Sequence, residues 1–199
     1  MTSVRNSGAL RDDAVLDAAR EAILAVGWSR TTLTDVARRA GVSRMTLYRR
    51  WPDMRSLLGD LMTREWMAAV APALESPARD PRKRIVDGVV TAVRALRDND
   101  LLARITDVDP ELLLPYLLDR RGRSQDLVIE LLAREIREAQ EAGAVRRGSA
   151  DLLARSVVLA AHGFTLSAHT MLDGEQRRGG DVRRFDQELA TIVERYLQP

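Results

Sequence analysis

The chain has no cysteine among its 199 residues, which removes disulfides, Cys-ligated zinc, iron–sulfur clusters and thiol catalysis together. A reducing compartment fits that absence but does not follow from it. Histidine is scarce too, with only His162 and His169. Seven residues apart, the two fall almost on one face of a single helix, with Asp173 four further on. Such a trio could ligate a metal, but neither an HExxH pattern nor a third histidine accompanies it. Hydrogen-bonded histidines in a helix interface are the better reading, and no metal or cofactor is expected. GxGxxG, P-loop and GxSxG patterns are missing as well. An enzyme would have to rest largely on carboxylates, so none is expected.

Long apolar runs are lacking. The longest uncharged stretch, Ser156 to Leu172, contains both histidines, a glycine and several hydroxyls. A membrane span wants about 20 predominantly apolar residues, so this segment reads as a buried helix and no membrane partner is expected. Met1 to Asp13 is mostly polar, without the apolar run of a secretory signal, and the expected location is the cytoplasm. Neither a strand-length alternating pattern nor an internal repeat stands out.

What is present is an ordinary globular composition, 45% apolar and 30% charged. The length permits one domain, or a small module joined to a larger one. Net charge is +2, and Lys83 is the single lysine among 31 basic residues. A GC-rich genome produces such an arginine bias with no function attached, although arginine is also the residue suited to phosphates and base edges. The charge is uneven: Arg30 to Arg55 holds seven arginines against Asp35 and Asp53. A polyanion is best sought there.

The punctuation predicts helices throughout. Val15, Ala18, Ala19, Ala22, Ile23 and Val26 form a helical stripe stopped by Gly27. Thr32 with Asp35 three residues on has capping-box spacing for a short helix ending at Gly41, and Ser43 caps another. Asp53 is placed to cap a fourth from Met54 towards Glu75, with Pro72 kinking or ending it. Beyond Pro77, Asp80–Pro81 opens a stripe of Ile85, Val86, Val89, Val90, Val93 and Leu96, and Asp109–Pro110 repeats that opening before Glu111 to Leu118. Leu127, Val128, Leu131, Leu132 and Ile136 share a face, closed by Gly143. Ser149 caps a helix apolar nearly all round from Leu152 to Met171, which implies burial on more than one side. The last stripe is Val182, Phe185, Leu189, Ile192, Val193, Tyr196 and Leu197, with Asp186 among the charges largely off it.

The informative segment is Thr32 to Trp51, TLTDVARRAGVSRMTLYRRW. Two short helices crossing near a right angle need a small residue at the crossing, an αL-tolerant residue in the turn and apolar residues facing inward. Ala37, Gly41 and the set Val36, Val42 and Leu47 supply these, which is helix-turn-helix spacing. With Leu47 inward, Met45 and Arg49 each lie about 160° away, and Thr46 and Tyr48 sit on the flanks. The alternative is a helical hairpin inside a larger α-protein whose arginines are a solvated face.

The run TTLTDVARRAGVSRMTLYRRW followed by PDMRSLL resembles the N-terminal DNA-binding domain of TetR family transcriptional regulators. The helices behind it, including DPELLLPYLLDRRGRSQ, are similar to that family's effector and dimerisation domain. The resemblance implies that Thr32, Thr34, Tyr48 and the start of the fourth helix hold phosphates. It also implies that Arg44 to Arg49 meet base edges, giving the set Thr32, Thr34, Ser43, Arg44, Met45, Thr46, Tyr48, Arg49, Arg50 and Arg55. Two departures from the family pattern stand out. Met45 replaces a small residue and is suited to a thymine methyl. Met54 replaces the usual lysine, leaving Arg55 as the candidate phosphate ligand.

The fold expected is therefore all-α, with a three-helix helix-turn-helix domain over 1–55 and a larger helical effector-binding and dimerisation domain over 56–199. Met62, Trp66 and Met67 on the fourth helix, with Tyr116, His162 and Phe164, are the kinds of side chain that line small-molecule cavities. The two apolar C-terminal helices from each of two copies would form a four-helix bundle. The expected function is a homodimeric, sequence-specific regulator of double-stranded DNA at a near-palindromic operator, a repressor released by an unknown small molecule. The alternative is a helical ligand-binding or interaction protein with a vestigial DNA-binding module.

Overall fold

The structure, a computed structural model, describes residues 3–75, 78–173 and 181–199, and the side chains of residues 12–73, 78–173 and 181–199. The first two residues of the polar stretch Met1–Asp13 lie outside these, as does Pro77. Every regular element among the described residues is helical. The α-helices are α1 (Ser3–Val26), α2 (Leu33–Arg39), α3 (Arg44–Arg50), α4 (Met54–Val70), α5 (Pro81–Arg97), α6 (Asp100–Val108), α7 (Leu114–Leu118), α8 (Arg123–Glu141), α9 (Ala150–Leu166) and α10 (Arg184–Leu197). Short 3-10 turns occupy Ala71–Glu75, Pro110–Leu112 and Ala168–Met171. No helix among the described residues is long and apolar enough to cross a membrane.

The chain forms two compact units, the first reaching Glu65 and taking in Asn99–Gly122, the second made of Trp66–Asp98 and Arg123–Pro199. This packing differs from a boundary at 55/56. Helix α6 was not legible as a separate helix, yet its Leu101 and Ile105 complete one apolar cluster with Ala19 and Ile23 of α1, Val36 of α2, Leu47 of α3, and Leu57 and Leu61 of α4. Asn99 caps α6, its carbonyl oxygen accepting from Leu102 N at 2.9 Å while its amide donates to Glu65 of α4 at 3.1 Å. Arg20 of α1 pairs with both Glu65 and Asp100.

In the second unit the core joins α5 (Val86, Val93), α8 (Ile129, Ile136), α9 (Val157) and α10 (Leu189, Leu197). Asp80 caps α5 and Pro81 occupies its first turn, as the spacing predicts. The C-terminal stripes depart from expectation at Leu127 and Asp186, and in the single chain α9 and α10 leave some apolar residues outward. On α8 the deeply buried face is Ile129, Ala133 and Ile136, and Leu127 is exposed. On α9 Leu152 and Leu159 face outward. On α10 Asp186 is buried at 2% exposure while Ile192 is exposed. Asp186 lies inward because two arginines of α5 meet it: Arg94 Nε at 2.5 Å, and Arg97, which also donates to the carbonyl of Val182.

Candidate functional site

The helix-turn-helix is built by caps and one turn. Thr32 Oγ1 accepts from Asp35 N at 3.2 Å and donates to the Asp35 carboxylate at 2.6 Å. That hydroxyl leads the causes holding the Asp35 carboxyl below its ordinary value. Gly41 adopts φ +65, and the amide of Val42 reaches back to the carbonyl of Ala37 at 3.0 Å, which closes α2. A Cβ on Gly41 would touch nothing, so the glycine is there for its backbone conformation and not for space. Ser43 then caps α3 by accepting from Thr46 N at 3.1 Å, and its hydroxyl also bonds that of Thr46 at 2.8 Å.

Leu47 anchors α3 in the core at 1% exposure, and Met45 stands out at 78%. Arg44, Tyr48 and Arg49 are exposed beside Met45, with Thr46 half-buried. Neither Arg44 nor Arg49 forms an ion pair with any described residue. Thr32 and Ser43 are exposed and Thr34 is half-buried. Arg50 differs from its neighbours: Nε lies 3.0 Å from Asp12, Nη2 lies 3.3 Å from Asp60, and the guanidinium sits over the Trp51 ring. These internal partners compete with any phosphate for Arg50. Asp53 caps α4 by accepting from Ser56 N at 2.7 Å. Met54 packs against the first unit's core, which accounts for an apolar residue there, and the adjacent Arg55 is exposed.

Asp109 does something its sequence context conceals. It makes no side-chain capping bond to the turn that follows it. Its buried carboxylate instead accepts from the amides of Trp28 at 2.8 Å and Ser29 at 3.2 Å, and from the Ser29 hydroxyl, in the link between α1 and α2. Gly27 makes room for it, since a Cβ there would lie 3.1 Å from Asp109 Oδ2 in a backbone already at φ +87. Burial pushes the Asp109 carboxyl up, but the Ser29 hydroxyl, the two amides and the Arg104 charge together hold it below the ordinary value. Its contribution to stability is therefore complete above the unfolded aspartate pKa of about 3.9 and is lost as pH falls through the lower folded value. Asp109→Asn should be less stable at pH 7 and show a shallower acid limb in thermal melts between pH 5 and 2. Superimposable acid limbs would show that this carboxylate is not the group responsible.

The second unit contains a partly open cavity of about 120 Å³ whose wall includes Trp66, Val93, Leu132, Val158, His162 and Thr165. Trp66 and His162 pack edge to face, with ring centroids 6.4 Å apart. Burial pushes the His162 imidazole below its ordinary value. Of the other side chains singled out as pocket candidates, Met62 packs in the first unit's core, Tyr116 lies on α7 of that unit, and Phe164 packs against the second unit's core. Residues Gln125 and Thr165 also line the cavity and were not anticipated. Both sit on helices whose apolar neighbours dominate the pattern.

A compact unit presenting the second helix of a helix-turn-helix, with two arginines that pair with no described residue, joined to a helical unit that contains an apolar cavity, defines a DNA-binding transcriptional regulator. Residues 15–61 match the family described as bacterial regulatory proteins, tetR family. An uncharacterized HTH-type transcriptional regulator of Mycobacterium bovis is 39% identical over 168 residues, covering 84% of this chain and 87% of that one. The HTH-type transcriptional regulator AlkX of Mycobacterium tuberculosis is 49% identical over 51 residues, 26% of this chain and 24% of that one. The fold is shared with the TetR family repressor QsdR of R. erythropolis, at a TM-score of 0.69 and 17% identity over 96% of this chain and 97% of that one. The chain belongs to the tetR family of bacterial regulatory proteins.

Proposed function

We propose that the protein is a homodimeric repressor acting in the cytoplasm, which binds a near-palindromic operator through α3 of each copy and leaves it when a small molecule fills the second unit's cavity. The observation that carries the DNA-binding part is the outward face of α3, where Met45 and Arg49 are exposed opposite the buried Leu47 and Arg44 is exposed at the helix start. A vestigial module would not need to keep those guanidinium groups free. Dimerisation is supported by the apolar side chains that α9 and α10 leave uncovered, Leu152 at 62%, Leu159 at 73% and Ile192 at 48%. A second copy related by a two-fold axis covers them and sets two recognition helices about 34 Å apart. Helix α4 carries the ligand signal, since it begins in the first unit and ends in the second, where Trp66 lines the cavity. The ligand weakens DNA binding only as far as its affinities for the two conformations differ.

The test is fluorescence anisotropy against the DNA upstream of the protein's own gene and a shuffled fragment, at two salt concentrations. Tight binding to the first alone, with two subunits per site, is the expected result; equal, salt-sensitive binding to both would overturn it. In the same assay Arg49→Ala should cost about 1–3 kcal/mol on operator DNA and relax specificity at one base position. Arg55→Ala should weaken operator and random DNA equally and flatten the salt dependence. Identical losses on both DNAs for both variants would contradict these roles.

A further inference from the structure

The cavity's wall restricts what it can hold. Among the described residues three of its lining side chains ionise: Arg84, Glu135 and His162. Arg84 Nη2 faces Glu135 Oε2 at 3.9 Å, so the two charges offset each other. Burial keeps the His162 imidazole neutral at physiological pH. Two further polar groups are already engaged. The Thr165 hydroxyl donates to the carbonyl of Ala161 at 2.8 Å, and Gln125 has partners of its own. His162 is the exception, because its ring packs on Trp66 but has a hydrogen-bond partner at neither nitrogen among the described residues.

Resting on the reading of this cavity as the effector site, we infer that it takes a neutral, largely apolar molecule with one hydrogen-bonding group, which His162 engages, and rejects carboxylates and ammonium ions of the same skeleton. An ion entering this wall sheds its water without gaining a counter-charge. A carboxylate that recruited Arg84 would have to compete with Glu135, which already faces it and repels a second negative charge. A neutral hydroxyl or carbonyl loses far less water and can bond an imidazole that has no protein partner among the described residues, since neutral imidazole offers one donor and one acceptor. The volume of about 120 Å³ sets the scale. Aliphatic cavities of about 150 Å³ admit a benzene-sized molecule, so the occupant's buried part has about six heavy atoms.

Of the three tryptophans, Trp66 lines the cavity, whereas Trp28 and Trp51 belong to the first unit. Tryptophan emission and the thermal midpoint of the full chain would be followed at pH 7.5 during titration with 1-hexanol, hexanoate, hexylammonium and benzene. The expected result is that 1-hexanol binds at least about tenfold more tightly than either ion, with an emission change lost in Trp66→Phe. His162→Leu should weaken 1-hexanol by about tenfold, the equivalent of one hydrogen bond, and leave benzene unaffected. Tighter binding of hexanoate or hexylammonium would overturn the neutral-ligand inference and leave the cavity standing as an effector site. No response to any of the four would overturn both. The comparison of probes on the unaltered protein decides the matter whether or not His162→Leu folds.

Discussion

Asp186→Ala should lower the free energy of unfolding by about 3–5 kcal/mol, the typical cost of removing one partner from a buried ion pair, measured as a shift of the urea midpoint at constant slope. The aspartate is 2% exposed and lies between Arg94 and Arg97 of α5. Without it the Arg97 side chain, itself only 9% exposed, becomes a buried cation whose remaining partner is the carbonyl of Val182. Single domains are stable by about 5–15 kcal/mol, so this one change removes a large share. Arg94→Ala should cost clearly less, because Arg94 is half in solvent and its removal leaves Asp186 with Arg97. Equal losses from Asp186→Ala and Arg94→Ala would mean that burial of the pair is not the source of the effect.

Leu159→Glu should raise the dimer dissociation constant by more than about a hundredfold, read by light scattering on a sizing column across protein concentrations. The residue is exposed in the single chain, so the substitution leaves folding of the subunit within about 0.5 kcal/mol. In a two-fold interface it appears twice, and both carboxylates lose their water without a partner on association. About 3 kcal/mol of lost association energy is slightly more than a hundredfold in dissociation constant. Operator binding should fall in parallel, since only a dimer presents two recognition helices. A dimer unaffected by Leu159→Glu would place the interface elsewhere than on the outward faces of α9 and α10.

Local signals were the most legible part of the chain. Thr32, Ser43, Asp53 and Asp80 all cap the helices their spacing predicts, and Gly27, Gly41 and Gly143 all take the positive φ that ends a helix. A capping bond spans three residues, so its partners are visible in the sequence. Face assignments over long helices were less secure. Ile129 and Leu127 are equally apolar, and only the packing of the second unit's other helices decides which is buried. Asp186 reads as a surface charge until two arginines about ninety residues away are brought to it. Asp109 illustrates the same limit, because Asp–Pro is a common helix opening and its actual partners, Trp28 and Ser29, lie eighty residues earlier. Helix α6 is hard to see in the sequence because Leu101, Leu102 and Ile105 make a stripe barely two turns long, and its Asn99 cap is one polar residue among several.

The carboxylate of Asp109 also bears on modularity. A helix-turn-helix occupying the first sixty residues looks like a cassette that could be cut out or exchanged between relatives. Here the cassette is not contiguous. The turn that leads into α2 is tied by Asp109, and the core beneath α1 is completed by Leu101 and Ile105, all from a segment inserted into the sequence of the other unit. A chimera joined at residue 55 would inherit a foreign clamp and a foreign floor. One that also carries Asn99–Gly122 would bring both with it, so the smallest exchangeable DNA reader in this chain is a pair of segments.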